Sequence, residues 1–123
     1  MIRPPDWPRP PVCLPHHLLH LPPEGARVAV AGLVLVRQRP GTAKGVIFLT
    51  LEDEFAVCNV VIWQAIYQRF RRAVIAGRLL RVTGRVQRHA GVTHVVADLV
   101  EDISGMLDGL VGLHDGARAG DQP

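Results

Sequence analysis

Residues 46–62 read VIFLTLEDEFAVCNVVI. Two apolar runs, 46–52 (VIFLTLE) and 55–62 (FAVCNVVI), flank Asp53 and Glu54. Runs of this length, rich in β-branched residues and joined by a short polar turn, predict a β-hairpin. Side chains alternate across a strand, so each run divides by parity. Ile47, Leu49 and Leu51 form a wholly apolar set, as do Cys58, Val60 and Ile62. The other sets hold Phe48 with Thr50, and Asn59 with Val57 and Val61. Burying an unpaired hydroxyl or amide costs about 1–3 kcal/mol, so the sets with Thr50 and Asn59 are expected outside. Phe48 then lies outside beside two hydrogen-bonding side chains.

Upstream, 27–38 (RVAVAGLVLVRQ) reads as a long strand, with Gly32 marking a bulge or sharp bend. Arg39 to Gly45 is a loop with turn-forming glycines. Downstream, Ile66, Tyr67, Phe70 and Val74 recur at helical spacing from Gln64 to Ala76, and Gly77 ends that helix. Residues 78–87 alternate, with Leu80, Val82 and Val86 on one face and Arg81, Thr83, Arg85 and Gln87 on the other. Arg88 to Gly91 turns the chain into a fifth strand, 92–100. Three strands, a helix and a hairpin make the layout of the oligonucleotide-binding (OB) barrel, a mostly β, five-stranded Greek-key barrel with one helix between strands 3 and 4. A long bent first strand suits it, because that strand serves both sheets. A small SH3-like barrel or a plain α+β sheet is the competing architecture.

Residues 1–25 hold eight of the ten prolines and are expected as an extended lead-in, with one short turn at 16–21. Residues 26–104 are expected to form the domain, and 105–123 a flexible tail. The length suits one compact domain and leaves no room for a large multi-domain enzyme. No apolar run is long enough for a membrane helix and no secretory signal is visible, so a cytoplasmic location is expected. Cys13 and Cys58 stand far apart in no CxxC pair, which argues against a zinc ribbon or a disulfide framework.

The net charge of +3 hides a gradient. Between Arg27 and His94 eleven basic residues face three acidic ones, and acids return in the tail. Such a segment favours a polyanionic partner, because phosphates release counterions when a cation binds them. The loops of an OB barrel flank its binding strip, so Arg37, Arg39, Lys44 and Arg88 are expected to grip phosphates, with Arg81 and Arg85 extending the track. Arg69, Arg71 and Arg72 are expected to face solvent at the barrel's other end. Phe48, with Thr50 and Asn59, is either a base-stacking platform or a ring packed under a loop or the lead-in.

No catalytic set emerges. Gly41 to Gly45 lacks the spacing of a phosphate loop. Glu52, Asp53 and Glu54 are consecutive and read as a turn. His16 and His20 read as exposed residues of an apolar turn, His94 as packed or solvated, and Cys58 as a small core hydrophobe. No catalysis, cofactor or metal is expected.

Val28 to Ser104 resembles the C-terminal OB domain of the bacterial error-prone DNA polymerase, a paralogue of the polymerase III alpha subunit used in damage-tolerant synthesis. AGLVLVRQRPGTAKGVIFLTLEDE (31–54), NVVIW (59–63), YQRFRR (67–72) and TGRVQRHAGVTHVVADLVEDIS (83–104) carry the resemblance. Phe48, Thr50 and Asn59 also stand where class II synthetase anticodon-binding OB domains are similar, with a base-contacting aromatic and amide. Phe55 and Ala56 depart from the small residue and glycine usual after LEDE. The polymerase palm and its PHP domain have no counterpart here, so polymerase activity does not carry over. The chain is expected to be a split-off domain, a truncated product or a relic.

The resemblance and the charge together imply a module for single-stranded DNA with little sequence choice. A domain docking on a polymerase or repair protein, or one binding RNA or tRNA, is the alternative. No membrane partner is expected.

Overall fold

The computed structural model describes residues 13–39 and 45–107. Five strands form a closed barrel: β1 (Arg27–Gln38), β2 (Ile47–Glu52), β3 (Val57–Ile62), β4 (Leu79–His89) and β5 (Val92–Asp102). Helices α1 (Gln64–Arg69) and α2 (Arg71–Ala76) lie between β3 and β4. The order around the barrel is β1-β2-β3-β5-β4. Neighbours are antiparallel except β3 and β5, which run parallel. This is the Greek-key OB barrel that the sequence predicts.

β1 does serve both sheets. Its first half pairs with β4 and its second half with β2. Gly32 sits at the changeover, where a Cβ would come 2.7 Å from the carbonyl oxygen of Glu52. The register shift itself falls later, between Val34 and Val36. That one extra residue reverses parity. Val34 pairs with Leu51 of the inner set, whereas Val36 opposes Thr50 and Gln38 opposes Phe48 on the outside. Arg37, opposite Leu49, is therefore turned to the inner side at the barrel's end.

The core follows the parity argument. Leu49, Leu51, Val60, Ile62, Leu80, Val82, Val86 and Val95 are all fully buried. Truncating such a leucine to alanine costs about 2–5 kcal/mol. Val74 closes the barrel from α2, with Ile66, Tyr67 and Phe70 packed beside it. The expected single helix is broken at Phe70, whose φ of −119° and ψ of 31° leave the helical region. Hydrogen bonds still run from the Phe70 N–H to Ile66 and from the Val74 N–H to Phe70, so the apolar stripe stays on one side.

The proline-rich segment joins the barrel from Cys13 onward. Leu14 donates to the Ala29 carbonyl at 2.8 Å, and Cys13 and Leu19 are buried. His20 is exposed as expected, but His16 is not. Its backbone N–H donates to Asp53 Oδ2 at 2.7 Å and its Nδ1 lies 3.0 Å from the Ala56 carbonyl oxygen. Tertiary hydrogen bonds, invisible in the local sequence, draw it inside. No described helix is long and apolar enough to cross a membrane.

Candidate nucleic-acid interface

The outer side of β2 and β3 carries one continuous strip. Thr50 and Asn59 are direct partners across the two strands, and Phe48 pairs with Val61 in the adjacent row. Phe48, Thr50 and Asn59 are each half-buried and stand outside the core cluster. Directly beneath them Leu49, Leu51, Cys58 and Val60 are buried, so the strip rests on a rigid floor. The closed hydrogen-bonded ladder fixes the backbone from which these side chains project.

Three further residues join the strip that the sequence reading passed over. Asn59 is the register partner of His94 across the parallel β3–β5 pair, and His94 is the partner of Gln87 on β4. Thr50, Asn59, His94 and Gln87 thus make one polar row over four strands. Trp63 follows Ile62 with an extended backbone (φ −74°, ψ 159°), so it continues the outward parity of Asn59 and Val61. It is 54% exposed. A residue two along from Phe48's partner is within reach of an aromatic ring on the diagonal. Strip exposure of Trp63 was signalled by the parity of NVVIW. His94 and Gln87 needed the β3–β5 pairing of the barrel.

The nine sequence-predicted residues divide. Phe48, Thr50 and Asn59 come together on the strip. Arg85 lies in Phe48's row beyond Val61 and Val96, and donates to the Gly25 carbonyl at 3.2 Å. Arg39 stands at the β1 end, its guanidinium 4.8 Å over the ring of Tyr67. Lys44 lies outside the described residues. The other three hold protein groups. Arg37 Nε donates to the Val74 carbonyl at 2.7 Å, and its NH2 group to that of Gly77. Arg88 donates to Leu19 and Pro22 carbonyls at 3.0 and 2.7 Å. Arg81 forms a two-pronged pair with Glu101, at 2.6 and 3.1 Å.

Arg71 does not stand apart from the loop cations. It lines a cleft with Arg37, Gln38 and Arg39, because the β1 end and the helices meet at the same end of the barrel. Arg69 and Arg72 are exposed.

The electrostatics separate structural from available groups. The hydrogen bond from Arg81 holds the Glu101 carboxyl below its ordinary range and raises the guanidinium's own affinity for its proton. Burial, with the nearby Asp53 charge, pushes the Cys58 thiol up to about 12. Cys58 is thus a core residue and no thiolate nucleophile. Among the described residues no group of three or more His, Cys, Asp or Glu could hold a metal ion.

Comparison with known proteins agrees with this geometry. Residues 28–103 match the tRNA anticodon family described as an OB-fold nucleic acid binding domain. The error-prone DNA polymerase of Ruegeria pomeroyi is 63% identical over 81 residues, covering 66% of this chain and 7% of the polymerase. Error-prone DNA polymerase 1 of Rhizobium meliloti is 57% identical over 83 residues, 68% of this chain and 7% of that protein. The chain therefore spans less than a tenth of these relatives. Asparaginyl-tRNA synthetase from Pyrococcus horikoshii superposes with a TM-score of 0.55 at 28% identity, over 65% of this chain and 20% of that one. The S. pombe Stn1-Ten1 complex shares the fold alone, with a TM-score of 0.56 at 18% identity over 76% of this chain and 69% of that one. The resemblance read from residues 31–54 and 83–104 is met by these relatives, and the chain belongs to the OB-fold nucleic acid binding domain family, in a form related to error-prone DNA polymerases.

Proposed function

We propose that this domain binds single-stranded DNA with little sequence choice, as a non-catalytic module that holds template near a damage-tolerant polymerase in the cytoplasm. The observation that carries the reading is the strip itself. Phe48 and the exposed Trp63 offer flat apolar faces beside the hydrogen-bonding Thr50 and Asn59. Stacking on such rings is worth about 1–3 kcal/mol per base and tolerates any base, because every base has a π-face. Lys44 supplies a phosphate contact to the strand on the strip, and Arg39 one beyond the strip's end; such contacts position a strand without reading it. Arg37, Arg81 and Arg88 brace the frame on which the strip sits.

Fluorescence anisotropy of a labelled oligonucleotide at two salt concentrations tests this. Binding that weakens steeply with salt is expected. Absence of binding at low salt overturns it. Competition by matched RNA that outdoes DNA reassigns the domain to RNA. Charge reversal at Arg39 and Lys44 that abolishes capture of a polymerase while sparing oligonucleotide binding reassigns the loop to a protein partner.

A further inference from the structure

We infer that the cleft between the end of β1 and the two helices is a second site, taking the sugar-phosphate backbone of the DNA strand where it leaves the Phe48 strip. The inference rests on the reading above and extends it to the strand's path. The cleft has a volume of about 340 Å³ and is lined by Gln38, Arg39, Tyr67, Arg71 and Ile75, with Arg37 in its wall. It begins where the strip ends, because Gln38 is the register partner of Phe48.

Among the described residues the lining holds three guanidiniums and no carboxylate. Their roles differ. Arg37 is spent on the carbonyls of Val74 and Gly77, which ties the β1 end to α2 and fixes the cleft's width. Arg39 lies over the Tyr67 ring, which restrains a long side chain in advance and leaves guanidinium N–H groups directed along its edges. Arg71 is exposed on the helical wall. A held guanidinium and an exposed one, in a cleft whose width is already set, lose little freedom on gripping a phosphate.

The other flank of the sheet is unsuited to the same task. Beyond β3 the outer face leads to a groove lined by Glu24, Arg85, Gln87, Val96 and Asp98. There two carboxylates meet one guanidinium, Asp98 is paired with Arg27 at 3.2 Å, and Arg85 is held by Gly25. A polyanion leaving the strip meets an excess of positive charge on the helix side and none on the β4–β5 side.

The test compares oligothymidylates of about 5 and about 12 nucleotides, bracketing part of the site sizes known for single OB folds. Arg39→Ala with Arg71→Ala should weaken binding of the longer strand about tenfold. It should leave the shorter one within about twofold and lower the salt slope for the longer by about 1.4, the value for two single-strand phosphate contacts. Arg69→Ala with Arg72→Ala removes the same charge from the helices outside the cleft, and should change that slope by less than half as much. Equal losses from the two double variants, or equal losses on the two lengths, overturn the cleft and leave the strip standing. Failure of the unaltered protein to bind either length overturns the strip, and the cleft falls with it.

Discussion

Asp53 accepts the backbone N–H of His16 on its Oδ2 at 2.7 Å. Its Oδ1 accepts those of Phe55 and Ala56 at 2.9 Å each, so one buried carboxylate ties the lead-in to the β2–β3 turn. Hydrogen bonds to a charged group contribute about 1.5–3 kcal/mol, and leaving buried donors unmet adds to the loss. Asp53→Ala should lower stability by about 2–4 kcal/mol. Urea unfolding checks this, and a change below about 1 kcal/mol, the worth of an ordinary exposed polar contact, refutes the role.

The strip makes a separate claim on binding. Phe48→Ala and Trp63→Ala should each weaken oligonucleotide affinity by about 5- to 100-fold, the equivalent of one stacked base. Trp63 emission should also be quenched as DNA is added, measured in a Trp7→Phe background so that one indole reports. Unchanged emission at saturating oligonucleotide excludes a base on the indole.

How much of this was legible in the sequence depends on the range of the interaction. Thr50 and Asn59 showed which parity of the hairpin faces out, because a hydroxyl or amide in a dry core is costly. The bulge was not legible where it occurs, since LVLV offers no polar residue to report the change of side at Leu35. That hidden reversal put Arg37 on the inner side, against the carbonyls of Val74 and Gly77. His94 joined the polar row only through the parallel β3–β5 pair, a contact between segments far apart in the chain. Arg88 looked like a loop cation until the lead-in offered it two carbonyls.

The β4–β5 hairpin contains a correctable strain. Ala90 has φ of 52° and Gly91 φ of 80°, the left-handed pair of a two-residue turn. An L-residue with a Cβ is penalised by about 1–2 kcal/mol there, whereas glycine and asparagine adopt it readily. Ala90→Gly or Ala90→Asn should raise stability by about 0.5–1 kcal/mol, the glycine gaining less because its unfolded chain is freer. Thermal unfolding of the two variants checks the sign; a lower midpoint for both refutes it.

Cys58 offers a reading of opening from within the core. Its thiol is buried and pushed up to about 12, so almost none is thiolate near neutral pH. Alkylation by iodoacetamide, located by peptide mass spectrometry, should be slow in the native protein. It should accelerate sharply across the urea transition. Rapid labelling without denaturant contradicts the inner parity of β3.

Acid should act through the carboxyls at the end of β5. Glu101 is held below its ordinary range by the hydrogen bond from Arg81, and Asp102 by those from the Ser104 side chain and backbone. A carboxyl with a lowered folded pKa adds stability that is complete above its unfolded value, about 4.3 for Glu and 3.9 for Asp. That stability drains away as pH falls through the folded value, because the unfolded chain then binds the proton more readily. Glu101→Gln should therefore be less stable than the unaltered protein at neutral pH. The gap should close only below about pH 4. The Glu101 side chain and Asp102 are solvent-exposed enough for screening to keep the effect small and salt-sensitive. Urea midpoints recorded from neutral to strongly acid pH decide the matter: a gap that persists unchanged at the acid end means the Arg81–Glu101 pair does not depend on the charge of Glu101.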